Sequence, residues 1–169
     1  MTYFFAGIKH SGKSTHARLF AEYKNLPFYD LDKYIEENIN YPSVRALYKA
    51  EGKEAFMEQE YICLKKLLKE NPQDKVIALG GGICENPKAF DLCDNLIFLD
   101  LDEEVLFKRI NFLGLPPFLE GDPINKFHIL YNKRRPLYKE KAKITIKLKD
   151  DNIDNIFEIV KKELINWEK

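Results

Sequence analysis

One nine-residue stretch, GIKHSGKST at residues 7–15, limits what this chain can fold into more than any other segment. Four residues separate Gly7 from Gly12, and Lys13 and Ser14 follow directly. This is the spacing of a phosphate-binding loop, whose backbone N–H groups point into a concavity that holds a polyphosphate. In such a loop the lysine reaches the terminal phosphates and the hydroxyl group ligates Mg²⁺. The segment therefore predicts a nucleotide-binding protein.

The flanking residues provide the structural context that such a loop requires. Residues 2–5 are rich in aromatic and β-branched side chains and predict a strand. From Ser14 to about Tyr23, apolar residues recur at helical spacing and predict a helix. A loop between a strand and a helix N-terminus binds anions readily, so this context favours a phosphate site over a chance glycine turn.

Composition limits the class of partner. The chain has 169 residues, of which 45% are hydrophobic, enough to bury an ordinary core, and we assign residues 1–169 to a single domain. Lys plus Arg and Asp plus Glu each number 27, so no net charge attracts nucleic acid or an anionic membrane. We expect small-molecule partners, no nucleic acid, no membrane, and a monomer.

Cysteine spacing and the apolar runs bear on metal binding and location. Cys63, Cys84 and Cys93 show no metal-ligand spacing with one another or with the histidines, and are predicted to be buried, reduced thiols. The apolar start is too short for a signal peptide, and no apolar run reaches 18 residues. These features predict a cytoplasmic protein.

Apolar runs that alternate with helical patterns predict the fold class. Strands are predicted at residues 2–5, 26–29, 75–79, 95–99 and 144–148. Helices are predicted at 14–23, after Asp32 through Ile39, and at about 53–69, 103–110, 124–142 and 153–164, with Ser43 an N-cap. This alternation predicts a three-layer α/β/α fold with a five-stranded parallel sheet and ligands beyond the carboxyl ends of its strands.

Two acidic residues follow the second predicted strand. Asp30 and Asp32 flank Leu31, and residues i and i+2 at a strand end point the same way. One carboxylate is then available to hold water on Mg²⁺ and the other to accept a substrate hydroxyl. For Asp30 the alternative, that it caps the following helix, is equally well supported.

Two further segments are candidates for ligand contact. Gly80, Gly81 and Gly82 follow a buried strand, and three glycines cost more conformational entropy than a turn requires, which favours close backbone approach to a ligand. The Lys-Arg-Arg run at 133–135 lies on a predicted basic helix. We expect two of its side chains on a solvated face and one to face an anion.

Four segments, taken together with the phosphate loop, resemble the shikimate kinase family. They are YDLDKYIE at 29–36, EGKEAF and QE within 51–60, GGG at 80–82 and RRPLYKEKA at 134–142. They occur in the family's order and roughly its spacing, so the resemblance covers nearly the whole chain. The phosphate loop is generic, whereas the other segments in combination are specific to the family.

The resemblance implies a fold like that of the nucleoside monophosphate kinases, with a substrate-binding region at about 30–60. It also implies a lid at about 111–123, where two Gly, three Pro and several apolar residues suit a loop that closes over a ligand. The implied reaction transfers the γ-phosphoryl group of ATP to the 3-hydroxyl group of shikimate. ATP is then the co-substrate and Mg²⁺ the cofactor.

The resemblance also implies a role for each matched residue. The implied nucleotide-binding residues are Gly7, His10, Ser11, Gly12, Lys13, Ser14, Thr15 and Arg109, with Arg109 against adenine. The implied metal residues are Ser14, which ligates Mg²⁺, and Asp30, which binds its water shell. The implied catalytic residues are Lys13, on the β- and γ-phosphates, and Asp32, which accepts the reacting hydroxyl. Gly80, Gly81 and Gly82 line the substrate, and Arg134 binds its carboxylate.

Three positions depart from the family pattern. Met57 replaces the arginine of Phe-Arg-x-x-Glu that grips the shikimate carboxylate, Pro116 replaces the lid arginine, and His10 replaces a glycine of the loop. A charge-assisted hydrogen bond contributes roughly 1.5 to 3 kcal/mol, so loss of the first arginine alone weakens binding about ten- to a hundred-fold. Lys9, Arg45 and Arg135 are the candidates to supply the missing charge.

These departures leave three functions open. The first is a shikimate kinase with weakened substrate affinity. The second is a related kinase whose hydroxylated substrate lacks a carboxylate or presents it elsewhere, and Met57 favours it. The third is a weakly catalytic nucleotide-binding paralogue, which the missing lid arginine favours and the intact Lys13, Ser14, Asp30 and Asp32 disfavour.

Overall fold

The sheet has five parallel strands, in agreement with the sequence prediction. A computed structural model describes residues 1–169, and its strand order is β2-β3-β1-β4-β5. The strands are β1 (Thr2–Ala6), β2 (Phe28–Asp30), β3 (Lys75–Ala78), β4 (Leu96–Asp100) and β5 (Ile144–Lys147). Because β1 lies at the centre, the phosphate loop that follows it opens at the middle of the sheet's carboxyl edge.

Seven helices connect and cover the strands. They are α1 (Lys13–Lys24), α2 (Leu31–Asn38), α3 (Val44–Glu70), α4 (Pro87–Phe90), α5 (Glu103–Leu113), α6 (Pro123–Lys141) and α7 (Ile153–Trp167). Two single 3₁₀ turns, Ile83–Glu85 and Pro117–Leu119, complete the chain. The sequence did not predict the short α4 or the turn before it, because four-residue elements carry no hydrophobic period.

Alternate residues of the central strands face opposite helical layers. Phe5 of β1 packs against Phe20 of α1, with ring centroids 5.8 Å apart. Phe98 of β4 stacks on Tyr138 of α6 at 5.2 Å. Since Phe98 pairs with Ala6, the neighbour of Phe5, the two contacts lie on opposite faces of the sheet. This is the three-layer arrangement that the alternating pattern predicts.

The helix predicted to begin near Lys53 starts earlier but is broken. Ser43 caps its N-terminus, as predicted, by accepting a hydrogen bond from the backbone N–H of Ala46 at 3.1 Å. At Gly52 the backbone leaves helical geometry with φ 88°, a conformation that favours glycine. The part after Gly52 corresponds to the predicted amphipathic helix and buries Cys63, Leu64 and Leu67.

The segment predicted as an irregular lid contains more structure than expected. Helix α5 continues to Leu113, three residues beyond its predicted end, and Leu119 is buried at the end of a 3₁₀ turn. Phe112 is 89% exposed and Phe118 is 57% exposed. The boundary prediction at 110 was therefore wrong, because exposed apolar residues at the end of a helix break its amphipathic period.

The three cysteines are buried and unpaired, as predicted. No helix has the length and apolar character required to cross a bilayer.

Candidate active site

The phosphate loop begins where β1 ends and runs into the first turn of α1. Its turn is closed by a hydrogen bond from the backbone N–H of Ser11 to the carbonyl oxygen of Ile8 at 3.0 Å. Gly12, the N-cap of α1, has φ 87° and provides no side-chain cap. The N–H groups of the first helical turn therefore remain available to an anion.

Lys13 lies at the start of α1 and faces two carboxylates. Its side chain forms no ion pair within 4.0 Å in the structure. Burial lowers the pKa of its ammonium group, and Asp32 and Asp30 oppose that shift. A half-buried cation with no ion-pair partner within 4.0 Å is available to pair with a phosphate.

Asp30 and Asp32 do not share a strand end, contrary to the prediction. Asp30 ends β2 and is the N-cap of α2, and its Oδ1 accepts a long hydrogen bond of 3.4 Å from the backbone N–H of Lys33. Asp32 instead belongs to the first turn of α2. The capping alternative is therefore confirmed for Asp30, and the geometric argument for a pair of parallel carboxylates was wrong.

Asp32 nevertheless reaches the centre of the cleft through its position on α2. A Cβ atom on Gly80 would lie 2.9 Å from its Oδ1, a distance at which only glycine is accommodated without a shift. Burial of the carboxyl group raises the pKa of Asp32, and the positive charge of Lys13 partly opposes that shift. The residue as a whole is exposed, so a substrate can approach it.

The glycine triplet is the point where the separate parts of the site meet. The position of a Cβ on Gly81 lies 3.2 Å from the backbone nitrogen of Lys9 in the phosphate loop. The position on Gly82 lies 3.1 Å from Nη2 of Arg134. Together with the proximity of Gly80 to Asp32, these distances place the loop, the carboxylate and the guanidinium next to one another around the triplet.

Arg134 is held in place by the glycine triplet and by an acid, Glu85, that the sequence analysis did not include. Its Nε donates to Oε2 of Glu85 at 2.7 Å, and its Nη1 donates to the carbonyl oxygen of Gly81 at 3.1 Å. The hydroxyl of Tyr138 also donates to that carbonyl, at 3.0 Å. The guanidinium therefore has a defined orientation beside the glycine triplet.

Of the three basic residues on α6, only Lys133 lies on a solvated face, with 58% of its side chain exposed, so the expectation of two such residues holds for one. Lys133 forms an ion pair with Glu85, and Arg135 binds Asp100 through two hydrogen bonds of 2.7 Å each. The Asp100 side chain is only 2% exposed, so it needs a charged partner. Arg135 is thus committed to a structural ion pair and not free to replace a missing arginine.

Glu60 lies buried between Asp32 and Arg134. Its side chain accepts a 2.8 Å hydrogen bond from Nδ2 of Asn86, which also donates to the carbonyl oxygen of Met57 at 2.8 Å. Burial raises the pKa of Glu60 to about 7, a shift to which Asp32 adds and which Asn86 and Arg134 partly offset. With Met57 in place of an arginine, this acid has no adjacent cation on its own helix.

Arg109 and His10 lie together at the outer side of the phosphate loop. Nη1 of Arg109 donates to the carbonyl oxygen of His10 at 3.1 Å, and its Nη2 donates to Asp150 at 3.1 Å. The backbone of His10 has φ 67°, a left-handed conformation that explains why a glycine is usual there. Burial, followed by the nearby cations, lowers the pKa of its imidazole, which is therefore neutral at pH 7.

The two remaining candidates to supply the missing charge differ in position. Lys9 is exposed on the phosphate loop, and its charge acts on both Lys13 and Asp32. Arg45 is exposed on the first turn of α3, and no ion pair involves it. Pro116, at the position of the lid arginine, is buried. Of these residues, Lys9 is the one whose charge reaches the candidate site.

The sequence analysis missed two residues that shape this site, Glu85 and Asn86. Both follow the glycine triplet in a short 3₁₀ turn and its end, where no periodic pattern marks them. An acid three residues beyond a glycine triplet carries no signal by itself. Their partners lie on α3 and α6, so the contacts exist only once the chain has folded.

Comparison with known proteins gives one consistent result. The family model described as shikimate kinase matches residues 9–165. Shikimate kinase from Staphylococcus aureus strain MSSA476 is 33% identical over 163 residues, which cover 95% of this chain and 89% of that protein.

Solved structures agree with this result at the level of the fold. Shikimate kinase from Bacteroides thetaiotaomicron has a TM-score of 0.82 and 27% identity, with 100% of this chain and 99% of that chain covered. Shikimate kinase from Acinetobacter baumannii, solved in complex with shikimate, has a TM-score of 0.83 and 24% identity, with 98% and 93% covered.

Proposed function

The chain belongs to the shikimate kinase family and is an ATP-dependent phosphotransferase, and on that premise we propose that it phosphorylates the 3-hydroxyl group of shikimate. The family match and the curated relatives support the reaction class.

One observation supports this proposal above the others. The glycine triplet at residues 80–82 lies beside Lys9 of the phosphate loop, the carboxylate of Asp32 and the guanidinium of Arg134. A hydroxyl group bound there would have a base on one side and a terminal phosphate on the other. A carboxylate on the same substrate would meet the cation.

On the nucleotide side, the N–H groups of the loop and of the first turn of α1 bind the phosphates. Gly7, His10, Ser11, Gly12, Ser14 and Thr15 form this cradle. Lys13 neutralises charge on the β- and γ-phosphates, and Arg109 borders the base from its place beside the loop. Alignment and charge neutralisation are the main contributions in phosphoryl transfer.

Magnesium fits the oxygen donors that the chain provides. No group of three or more His, Cys, Asp or Glu side chains forms a metal cage. Mg²⁺ commonly binds through one or two protein oxygens together with phosphates and water, and the Ser14 hydroxyl and the Asp30 carboxylate are suitable. When bound, Mg²⁺ would neutralise charge that develops on the transferring phosphate.

On the acceptor side, Asp32 accepts the proton of the attacking hydroxyl. The new bond joins the substrate oxygen to the γ-phosphorus as the bond to the β–γ bridging oxygen breaks. Because its surroundings raise the pKa of Asp32, it holds a proton more readily than an ordinary carboxylate. We assign residues 30–60 as the acceptor region and 111–123 as the lid.

The proposal is tested by measuring ADP release from ATP and Mg²⁺ with and without shikimate. We expect shikimate-dependent release that Asp32→Ala abolishes. Asp91→Ala, which removes an exposed carboxylate with 81% of its side-chain surface accessible, is the matched control and should leave the rate unchanged. Shikimate-independent release alone, or full activity of Asp32→Ala, would contradict the proposal.

A second candidate, a kinase for a different hydroxylated substrate, is favoured by one feature. Met57 stands where an arginine would grip the acceptor's carboxylate, so a substrate without that carboxylate loses less binding energy here. A panel of cyclic polyols and hydroxy acids in the same assay separates the two. A higher kcat/KM for a neutral polyol than for shikimate would favour this second function.

A further inference from the structure

Glu85 is an acid in the acceptor site that no motif marks. It ends the 3₁₀ turn after the glycine triplet, and its side chain is 14% exposed. Three cations surround it: Arg134, Lys133 and, at 3.7 Å, Lys53. Burial alone would raise its pKa, but hydrogen bonds from Lys133 and Arg134 lower the pKa of Glu85 to about 2. The carboxylate is therefore charged at every pH at which the enzyme would be assayed.

Two of the three nitrogens of the Arg134 guanidinium form hydrogen bonds, and the third is free. Nε is bound to Glu85 at 2.7 Å, and Nη1 is bound to the carbonyl oxygen of Gly81 at 3.1 Å. Nη2 has no hydrogen-bond partner in the structure and lies against Gly82. Two bonds fix the plane of the group, and the free nitrogen remains on the side of the glycine triplet. A guanidinium held in this way is prepared to bind an anion there.

Glu85 does not neutralise all the positive charge of the cluster that it forms with Arg134, Lys133 and Lys53. Three positive side chains surround one negative side chain, so the cluster keeps an excess of positive charge beside the cleft. Lys53 and Lys133 are each more than half exposed and largely solvated, whereas Arg134 is 19% exposed. Arg134, the least exposed of the three cations, is thus the one whose orientation matters most to a ligand.

We propose that Glu85 is the positioning residue of the acceptor site: through Nε it holds Arg134 so that Nη2 faces the carboxylate of the substrate. This inference rests on the proposed function, because it assigns that carboxylate to Arg134. It adds that the affinity for an acidic acceptor depends on an acid that does not touch the acceptor.

Kinetics with shikimate test the effect on the substrate. Glu85→Ala should raise KM for shikimate about tenfold, because one charge-assisted hydrogen bond no longer orients Arg134, with a smaller change in kcat. Glu85→Gln keeps an oxygen that accepts from Nε and should restore KM to within about threefold of the wild type, as expected for a positioning role. Glu158→Ala, which removes an exposed acid on α7, outside the acceptor region, is the matched control. A KM for Glu85→Ala that is unchanged or lower would overturn the proposal.

A substrate-free measurement separates this inference from the proposed function. The Nε–H resonance of Arg134, identified by its loss in Arg134→Lys, should exchange slowly with water in the wild type and in Glu85→Gln. It should exchange rapidly in Glu85→Ala or, if that variant does not fold, in Glu85→Asp, whose acid is one methylene shorter. Slow exchange in these variants would refute the positioning role even if shikimate were the substrate. A wild type without shikimate-dependent turnover would refute the proposed function, and the exchange rates would still decide the role of Glu85.

Discussion

The two sides of the cleft are built in different ways. The nucleotide side consists mainly of backbone, with a glycine in a left-handed conformation and an uncapped helix N-terminus within residues 7–15. The acceptor side consists of side chains from distant segments, and Arg134 and Glu85 are 49 residues apart in the chain. A backbone site is specified by a short motif, whereas a side-chain site depends on the whole fold. The acceptor side can therefore change, as at Met57, while the phosphate loop remains.

The largest effect is expected from removing the charge of Lys13, on which the nucleotide side depends. Lys13→Ala should lower kcat by about a thousandfold, comparable to the loss of a cation that stabilises the transferring phosphate. Lys139→Ala, which removes an exposed lysine on α6, should have no effect. The measurement is the rate of ADP release at saturating ATP and shikimate. Near wild-type activity of Lys13→Ala would show that the loop does not contribute to the chemistry.

The next prediction concerns the buried acid of the acceptor side. The pKa of Glu60 in the folded protein is about 7, above its ordinary 4.5, so the folded state binds more protons between these values than the unfolded state. The free energy of unfolding should therefore fall as pH rises from about 4.5 to 7, by about 3 kcal/mol from this group. Glu60→Gln has no such group and should lose less stability over that range.

Urea denaturation at pH 5 and pH 8 measures this difference. Glu58→Gln, two residues earlier and exposed, is the control and should follow the wild type. If Glu60→Gln shows the same pH dependence as the wild type, Glu60 is not a buried acid with a raised pKa.

Restoring the missing cation tests whether the acceptor side is aligned as proposed. Met57→Arg should lower KM for shikimate about tenfold, since it adds one charge-assisted contact to the carboxylate. The new guanidinium should also lower the pKa of Glu60, one helical turn away. Asn166→Arg places the same charge on an exposed position of α7, outside the acceptor region, and serves as the control. An unchanged KM for Met57→Arg would mean that position 57 does not face the substrate.

The smallest effect is expected at His10, the one non-glycine residue of the phosphate loop with a left-handed backbone conformation. His10 has φ 67°, so His10→Gly relieves roughly 1 kcal/mol of backbone strain but adds a similar entropy cost in the unfolded chain. The free energy of unfolding and KM for ATP should change little. A large increase in KM for ATP would show that the imidazole binds the nucleotide and that the loop is not purely a backbone site.

The fold was predictable from the sequence because its signals are local. All five strands and the strand-loop-helix context of Lys13 follow from residue types within a few positions of each other. The break at Gly52 was not predicted, since a single glycine within a helical pattern does not distinguish a kink from a tolerated residue.

The acceptor site was predictable only in part, for the same reason. Asp32, the glycine triplet and Arg134 were identified from motifs, and the structure brings them together. Glu85 and Asn86 were missed because their partners are supplied by tertiary packing. The predicted parallel pair of Asp30 and Asp32 is wrong because it requires the strand to continue through Asp32. Helix α2 instead begins at Leu31.

The central claim is that the phosphate loop presents a terminal phosphate to an acceptor held between Asp32 and Arg134. A crystal structure with a non-hydrolysable ATP analogue, Mg²⁺ and shikimate tests it most directly. We predict the γ-phosphate within hydrogen-bonding distance of Lys13, the 3-hydroxyl beside Asp32, and the shikimate carboxylate on Nη2 of Arg134. An empty phosphate loop, or shikimate bound away from Arg134, would contradict the account.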